Sequence, residues 1–301
     1  ALERGEEFAA AVALGMACGF TFARRQLRSR SPMLDVRLFR NPVFSAALAV
    51  NLLSVFALVG FIYFLSQHLQ LIAEFSPMEA GFFMVPGLVL TVVFGFVAVP
   101  LVRRLGPAAV VVSGLAFSAA AYSLVLAFGR SGSVTALLVA FCVLGIGVGL
   151  AETISNDLAL AAVPPARAGA AAAISETAYE VGSVLGTAVL GSILNAAYTG
   201  AVSVPAQLDP ALAEHARETL GGAVEVAGSM PDKAAAAGLL ESAATAFDSG
   251  VTVTAAIAAV LMLVALVLVR LALRSGAPGT PAASEAPHPA PAEDERQAKT
   301  G

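Results

Sequence analysis

Carboxylates inside an apolar stretch are the residues of this sequence best suited to chemistry. Residues 166–194 read ARAGAAAAISETAYEVGSVLGTAVLGSIL, a run long enough to cross a bilayer, and include Glu176 and Glu180. A separation of four residues places both side chains on one helix face, with Tyr179 beside them. Because a carboxylate in hydrocarbon is costly, acids in spanning helices usually face a bundle interior or a water-filled cavity. The stretch therefore predicts a membrane helix with a proton- or cation-binding site on one face.

Two more acids, Glu152 and Asp157, lie in the preceding apolar segment. With a rise of about 1.5 Å per residue, Glu152 lies roughly 17 Å and Asp157 roughly 9 Å from the turn at Val163. This tight turn joins the two segments, which are therefore expected to be antiparallel neighbours. We expect both acids and the pair on the next helix to lie between the membrane midplane and the end of the bundle at this turn.

The pair on the later helix predicts competition between a proton and a cation. Two carboxylates about 6 Å apart repel by roughly 3 kcal/mol at an effective dielectric near 20. We therefore expect Glu176 and Glu180 to titrate together and to share a proton near neutral pH. An organic cation would stabilise the fully ionised pair and expel that proton, which is the minimal chemistry of antiport.

Several polar residues have a simpler interpretation beside the functional one. Asp157, close to the membrane surface, can cap or contact a loop, and Glu152 next to Thr153 can hydrogen-bond inside the bundle without a transport role. His68 is expected to be a wetted residue at the interface, and a role in proton transfer is the alternative. Asn51 can join two helices rather than bind a ligand.

The other candidate site residues follow from polar positions in apolar segments. The turn VRRLGP joins two apolar segments tightly, and we predict that it is a conformational loop. Its candidate residues are Arg103 and Arg104. The candidate substrate cavity is predicted from Asn51, Tyr63, Gln67, Gln70 and Tyr179.

Composition defines the class of protein. Of the 301 residues, 58% are hydrophobic and 13% are charged, and the mean hydropathy is +0.83. A soluble domain of this length would not be so apolar, so an all-α membrane protein that crosses the bilayer several times is predicted. Seven apolar segments are predicted to span it, at about 8–23, 42–65, 79–101, 106–128, 134–160, 168–198 and 250–272.

Motifs for other chemistries are missing from the sequence. Cys18 and Cys142 lie in apolar segments without a CxxC or Cys/His pattern, so neither a disulfide framework, a metal site nor a cofactor is expected. The glycines of GIGVGL resemble a nucleotide fingerprint, but no strand precedes them, so helix packing is predicted instead. Neither GxSxG nor HExxH occurs, and an enzyme is not predicted.

Arginine predicts the orientation in the membrane. If all seven segments span, eleven arginines fall on one side, which is then cytoplasmic, and the short connections on the other side hold only Arg4 and Arg130. The chain would begin outside and end in the cytoplasm, and an odd number of upstream crossings would be missing. The eleven are Arg24, Arg25, Arg28, Arg30, Arg37, Arg40, Arg103, Arg104, Arg167, Arg270 and Arg274.

The polar connection 199–249 is then extracellular. Pro210 to Leu220 and Lys233 to Phe247 predict two short helices around a turn at Gly221, Gly222, Gly228 and Pro231. From residue 275 the chain is rich in Ala, Pro, Ser and Glu and is expected to be disordered.

Four blocks carry a family resemblance: SPMLDVRLFRNPVFSAA, YFLSQHLQLIAEFSPMEAGFFMVPG, VPLVRRLGPAAVVVSGL and AAVPPARAGAAAAISETAYEVGSVLGTAVLGSIL. In order and spacing they resemble the second half of a fourteen-helix drug:proton antiporter of the major facilitator superfamily, of the quaternary-ammonium and methyl-viologen exporter type. The resemblance covers about residues 20–275. It implies alternating access between two six-helix halves. Acids in a pattern like SETAYEVG give Glu176 and Glu180 a proton- or cation-binding role. The third segment departs from some members because it has no acid, with Thr91 among apolar residues.

The resemblance also assigns the segments. It implies that 1–23 is part of an extra linker helix. Together with hydropathy and the arginine bias, this gives a cytoplasmic connector at 24–41, five transmembrane helices at 42–198, an extracellular helical hairpin at 199–249, the last transmembrane helix at 250–274 and a disordered cytoplasmic tail at 275–301. The last six helices would form the C-terminal half of the fold.

The function implied is proton-coupled export of lipophilic, cationic compounds by a full-length parent in the bacterial inner membrane. Its partners would be these small molecules, protons, the lipid bilayer and the missing N-terminal half, with no nucleic acid. Two alternatives stay open: an exporter of one metabolite or antibiotic, and a non-transporting membrane sensor or remnant.

Overall fold

A computed structural model describes residues 13–21, 24–25, 36–129 and 133–275. Within these ranges six helices are long and apolar enough to cross a membrane, and no strand occurs. The all-α membrane fold is therefore confirmed, with six of the predicted spans. Of the segment predicted at 8–23, residues 13–21 are described and are helical, and the rest lies outside the described residues. The tail from residue 276 lies wholly outside them. The spans are Pro42–Ile72, Pro77–Leu105, Pro107–Phe128, Val134–Ala161, Pro165–Ala201 and Lys233–Ala272.

Two of the spans contain a π-helical turn. In the first span, helix α1 is followed by the π turn His68–Ile72, and in the fifth the turn Gly186–Leu190 separates α5 from α6. The helices are α1 Pro42–Gln67, α2 Pro77–Leu105, α3 Pro107–Phe128, α4 Val134–Ala161, α5 Ala168–Leu185, α6 Gly191–Ala201, α7 Pro210–Glu218, α8 Leu220–Ser229 and α9 Lys233–Ser275.

Side-chain caps set the helix starts. The Asn41 side-chain oxygen accepts the Val43 N–H at 3.0 Å, and its amide donates to the Ala162 carbonyl at 3.0 Å. The start of α1 is therefore joined to the end of α4. At α2, Ser76 and Glu79 form a reciprocal capping box, which satisfies backbone donors at the exposed helix end.

Glycines of α4 form the contact surface between three helices. A Cβ on Gly145 would lie 2.3 Å from the Gly87 carbonyl oxygen, and one on Gly149 would lie 2.3 Å from that of Thr91. Gly147 meets α3 in the same way. The backbones of α2, α3 and α4 thus approach closely, which confirms that the glycines of GIGVGL serve helix packing.

A second glycine contact joins α5 to α1. A Cβ on Gly182 would lie 2.4 Å from the carbonyl oxygen of Leu52, and one on Gly186 would lie 2.6 Å from that of Phe56. Residue numbers rise together along both helices, so α1 and α5 run parallel. The small residues of this stretch therefore let the backbones of the two helices approach closely.

The segment 199–249 differs from the prediction in two respects. The turn expected at Gly221 to Gly228 is helix α8, because Thr219 caps it by accepting the Gly222 N–H at 3.0 Å. The absence of a side chain at Gly222 lets the backbone of α7 approach. The separate helices predicted at 233–247 and 250–272 are one helix, α9, of 43 residues, since no proline interrupts it. At about 65 Å, α9 is roughly twice as long as the hydrocarbon core is thick.

Candidate functional site

Paired polar side chains connect α4 to α5. The Tyr179 side chain lies beside the Glu152 carboxylate, close enough for the two groups to interact. One turn away, the Ser175 hydroxyl donates to Asn156 Oδ1 at 3.1 Å. Glu152 and Asn156 are four residues apart on α4, and Ser175 and Tyr179 are four residues apart on α5. The two contacts therefore lie one helical turn apart between antiparallel helices.

The contact between Ser175 and Asn156 extends to α1. Asn51 Nδ2 donates to the Ser175 hydroxyl at 3.0 Å, and both side chains are buried. Three oxygens near this junction are also buried yet lack a hydrogen-bond partner among the described residues: Asn51 Oδ1, Ser54 Oγ and Ser155 Oγ. The meeting point of α1, α4 and α5 is therefore a polar site inside an apolar bundle.

The acids of α5 lie on its exposed side. Glu176 and Glu180 are exposed, whereas Glu152 is half-buried. Tyr179 is also close enough to Glu176 to interact with it electrostatically, so it has one acid of α4 and one of α5 as neighbours. Asp157 is exposed and takes part in neither of these two contacts between α4 and α5. The structure thus brings Glu152, Tyr179 and Glu176 together.

A cleft of about 370 Å³ between α2 and α4 reaches the same acid. Glu152 and Thr153 line it from α4, and Thr91 and Phe96 line it from α2. The polar position of α2, where the sequence has threonine rather than an acid, therefore shares a cleft with Glu152. The cleft opens beside the exposed Phe96 of α2. We call the exposed faces of α2 and α5 the open side of the bundle.

Three of the candidate cavity residues lie elsewhere. Tyr63 and Gln67 are half-buried and Gln70 is exposed, near the end of the first span. Tyr63 is roughly 18 Å further along α1 than Asn51. The structure therefore does not bring these three to Asn51 and Tyr179.

The conformational loop predicted between α2 and α3 is at the surface. Arg103 and Arg104 are exposed in the last turn of α2. Gly106, which follows, has a positive φ of 81° and makes the sharp change of direction possible. The role of the two arginines stays a prediction.

The expectation for His68 was wrong. Its side chain is buried, with Nδ1 3.4 Å from Asp248 Oδ1 on α9, because the π turn directs the ring into the bundle. Asp248 was not among the sequence candidates. It is the last acid before the final apolar segment, and that position could have marked it as a candidate in the sequence. No group of three or more His, Cys, Asp or Glu suited to a metal ion occurs in the described ranges.

Asn156 and Ser175 were also missed. Each lies four residues from a candidate, Glu152 or Tyr179, and so shares its helix face. That spacing was visible in the sequence.

The helices and the polar site define a multi-pass helical membrane protein. Residues 8–198 match the Major Facilitator Superfamily, a transporter family, and the chain belongs to it. Six spanning helices are consistent with half of that fold.

Named relatives are bacterial resistance and export proteins. The multidrug efflux pump LfrA of Mycolicibacterium smegmatis is 46% identical over 266 residues, which are 88% of this chain and 53% of LfrA. The methyl viologen resistance protein SmvA of Salmonella typhimurium is 33% identical over 75% of this chain and 46% of its own length. The tetracenomycin C resistance and export protein of Streptomyces glaucescens is 31% identical over 94% of this chain and 53% of its own length. The chain thus spans about half the length of these relatives.

Proposed function

We propose that this chain is the C-terminal half of a fourteen-helix exporter that couples efflux of lipophilic cations to proton movement. The observation that carries the proposal is the proximity of Tyr179 to Glu152 on α4 and to the exposed Glu176 on α5, within an apolar bundle. The names of the relatives support drug efflux, and their lengths leave room for a second half.

The arrangement of the acids suits an exchange of proton for cation. A cation near Glu176 is attracted by this carboxylate and by Glu152 beyond the tyrosine ring. A proton bound to one of these acids removes part of that attraction, so proton and cation compete. The Tyr179 hydroxyl can donate a hydrogen bond to whichever neighbouring carboxylate is ionised.

The open side of the bundle supports a missing N-terminal half as partner. Of the 29 residues of α2, the buried ones are Ala80, Gly87 and Ala98. The exposed side of α5 carries Glu176 and Glu180, and carboxylates facing lipid are costly. A second half that covers this side would place both acids and the α2–α4 cleft in an interior cavity. The arginine bias supports a cytoplasmic position for the α2–α3 turn in a bacterial inner membrane.

The test is cation binding and proton-coupled flux by the purified full-length protein, with methyl viologen as a dicationic probe. Glu176→Gln keeps the side-chain size but removes a charge worth about 2–4 kcal/mol at short range. We expect methyl viologen to bind roughly 30-fold more weakly, while a neutral lipophilic compound is less affected. Glu241→Gln on α9, an exposed acid away from the site, is the matched control. Wild-type binding and proton release in Glu176→Gln would refute the proposal.

A second candidate is export of one particular antibiotic. The Streptomyces glaucescens relative, named for tetracenomycin C, matches 94% of this chain. Flux of methyl viologen against flux of a polycyclic neutral antibiotic separates the two candidates, and absence of flux for every compound would favour a sensor.

A further inference from the structure

A buried pair of ionisable side chains at the other end of the bundle has no part in the proposed function. His68 lies in the π turn that ends the first span and is 2% exposed. Its Nδ1 is 3.4 Å from Oδ1 of Asp248 on α9, and the Asp248 side chain is 19% exposed. The pair joins segments that are far apart in the sequence.

One nitrogen of the His68 ring has no partner. Nε2 is buried and has no hydrogen-bond partner among the described residues. Because Nδ1 faces a carboxylate, the neutral ring is more stable with its hydrogen on Nδ1, which leaves the lone pair on Nε2. That lone pair can accept a proton, and the Asp248 carboxylate then balances the positive charge of the ring.

The surroundings leave Asp248 as the acid in contact with the ring. Phe247 lies against the imidazole, with 6.5 Å between ring centroids. Glu79 and Glu225 are exposed and bonded to Ser76 and His215, respectively. Other titratable side chains on this end of the packed elements include the buried Tyr198, the half-buried Tyr63 and the exposed Glu74, Lys233 and Glu241.

We propose that His68 and Asp248 form a buried proton-binding site that holds the π turn of the first span against α9. With the ring protonated, an ion pair in a poorly solvated place joins the two segments. When the ring gives up a proton, which reaches water by way of the partly exposed Asp248 carboxylate, the charge attraction is lost and the π turn separates from α9 more readily. Imidazole is the side chain that changes charge in this way between about pH 5 and 8. The inference rests on the pair itself and does not require the protein to be an exporter.

The chain contains a matched pair for comparison. His215 Nε2 and Glu225 Oε2 are 3.2 Å apart, but the two side chains are 46% and 79% exposed. Although this distance is shorter, water screens the attraction, and exposed ion pairs contribute little. Burial therefore distinguishes the two pairs.

Hydrogen–deuterium exchange with mass spectrometry, on the full-length protein in detergent, tests the proposal. Exchange of residues 65–75 is followed at about pH 5.5 and about pH 8.5, with times scaled for the intrinsic effect of pH. In the wild type, protection of the π turn should fall on the order of tenfold at the higher pH, because the contact between the charged ring and the carboxylate is lost. His68→Gln and Asp248→Asn should each abolish this pH dependence, and His215→Gln should leave it intact.

Two results would overturn the proposal. One is equal protection of residues 65–75 at both pH values in the wild type. The other is a pH dependence that persists in His68→Gln, which would assign it to another group. If His68→Gln does not accumulate, Asp248→Asn decides alone, since it keeps the size of the side chain and its capacity for hydrogen bonding.

Discussion

Asn51 on α1 donates a 3.0 Å hydrogen bond to Ser175 on α5, and the Ser175 hydroxyl donates in turn to Asn156 on α4 at 3.1 Å. One buried hydroxyl therefore joins three membrane helices. A buried polar group without a partner costs about 1–3 kcal/mol, so this junction resists rotation of α5 about its axis. The rotation of α5 in turn sets which of its side chains lie near Glu152, as Tyr179 does, and which are exposed, as Glu176 is.

Replacement of the central hydroxyl should destabilise the bundle. Ser175→Ala leaves the Asn51 amide without its acceptor, and we expect a loss of about 1–3 kcal/mol. Thermal unfolding of the purified full-length protein measures the change. Ser192→Ala is the control, because the exposed Ser192 hydroxyl bonds to the Ala188 carbonyl of its own helical segment. Equal unfolding temperatures for the two variants would contradict the importance of the junction.

Two glycines of α5, Gly182 and Gly169, test how much close helix packing contributes to stability. Gly182→Ala brings a methyl group to within 2.4 Å of the Leu52 carbonyl oxygen, so α5 must move away from α1. Overpacking of this kind typically costs about 1–3 kcal/mol. At Gly169 nothing lies within 4 Å of an added Cβ, and alanine there should be neutral or stabilising by up to about 1 kcal/mol. Unfolding temperatures of both variants check the prediction, which fails if Gly182→Ala is the more stable.

The spanning helices and their glycine contacts could be predicted from the sequence, because hydropathy over about 20 residues and small residues at regular spacing are local signals. The acids of α5 could be singled out by a local signal as well, because charged residues within such an apolar stretch are rare. The bond between Asn51 and Ser175 could not be predicted, because spacing within a helix says which residues share a face but not which neighbour that face meets.

Two local expectations were overridden by contacts between distant segments. Glycine disfavours helix, yet Gly222 is part of α8, where its lack of a side chain lets α7 pack closely. His68 stands at the end of an apolar run and was expected to be wet, but Asp248, far along the chain, faces its buried ring. No local pattern around His68 contains that partner.

The orientation in the membrane can be tested by cysteine labelling, after Cys18 and Cys142 are replaced by serine. Gly228→Cys on α8 has open space around it, and Ala109→Cys on α3 is exposed near Arg104. We expect an impermeant maleimide to label Gly228→Cys in intact cells, and Ala109→Cys after permeabilisation alone, because the arginine-rich side is cytoplasmic. The reverse pattern would invert the topology.

Tyr179 gives the most direct test of how α4 and α5 cooperate. Tyr179→Phe keeps the ring and its packing but removes the hydroxyl that approaches Glu152. A hydrogen bond to a charged group contributes about 1.5–3 kcal/mol. We expect cation binding by the full-length protein to weaken on the order of tenfold, with fewer protons released per methyl viologen bound. Proton release from the detergent-solubilised protein measures this directly.

The control makes the same chemical change in another helix pair. The buried Tyr122 hydroxyl on α3 donates to the Ala57 carbonyl of α1 at 2.7 Å. Tyr122→Phe should therefore lower the unfolding temperature while methyl viologen binding and proton release stay as in the wild type. If Tyr179→Phe also binds and releases protons like the wild type, its hydroxyl only helps α5 to pack on α4. Glu152 would then have no share in the exchange, and the coupling would rest on Glu176 and Glu180.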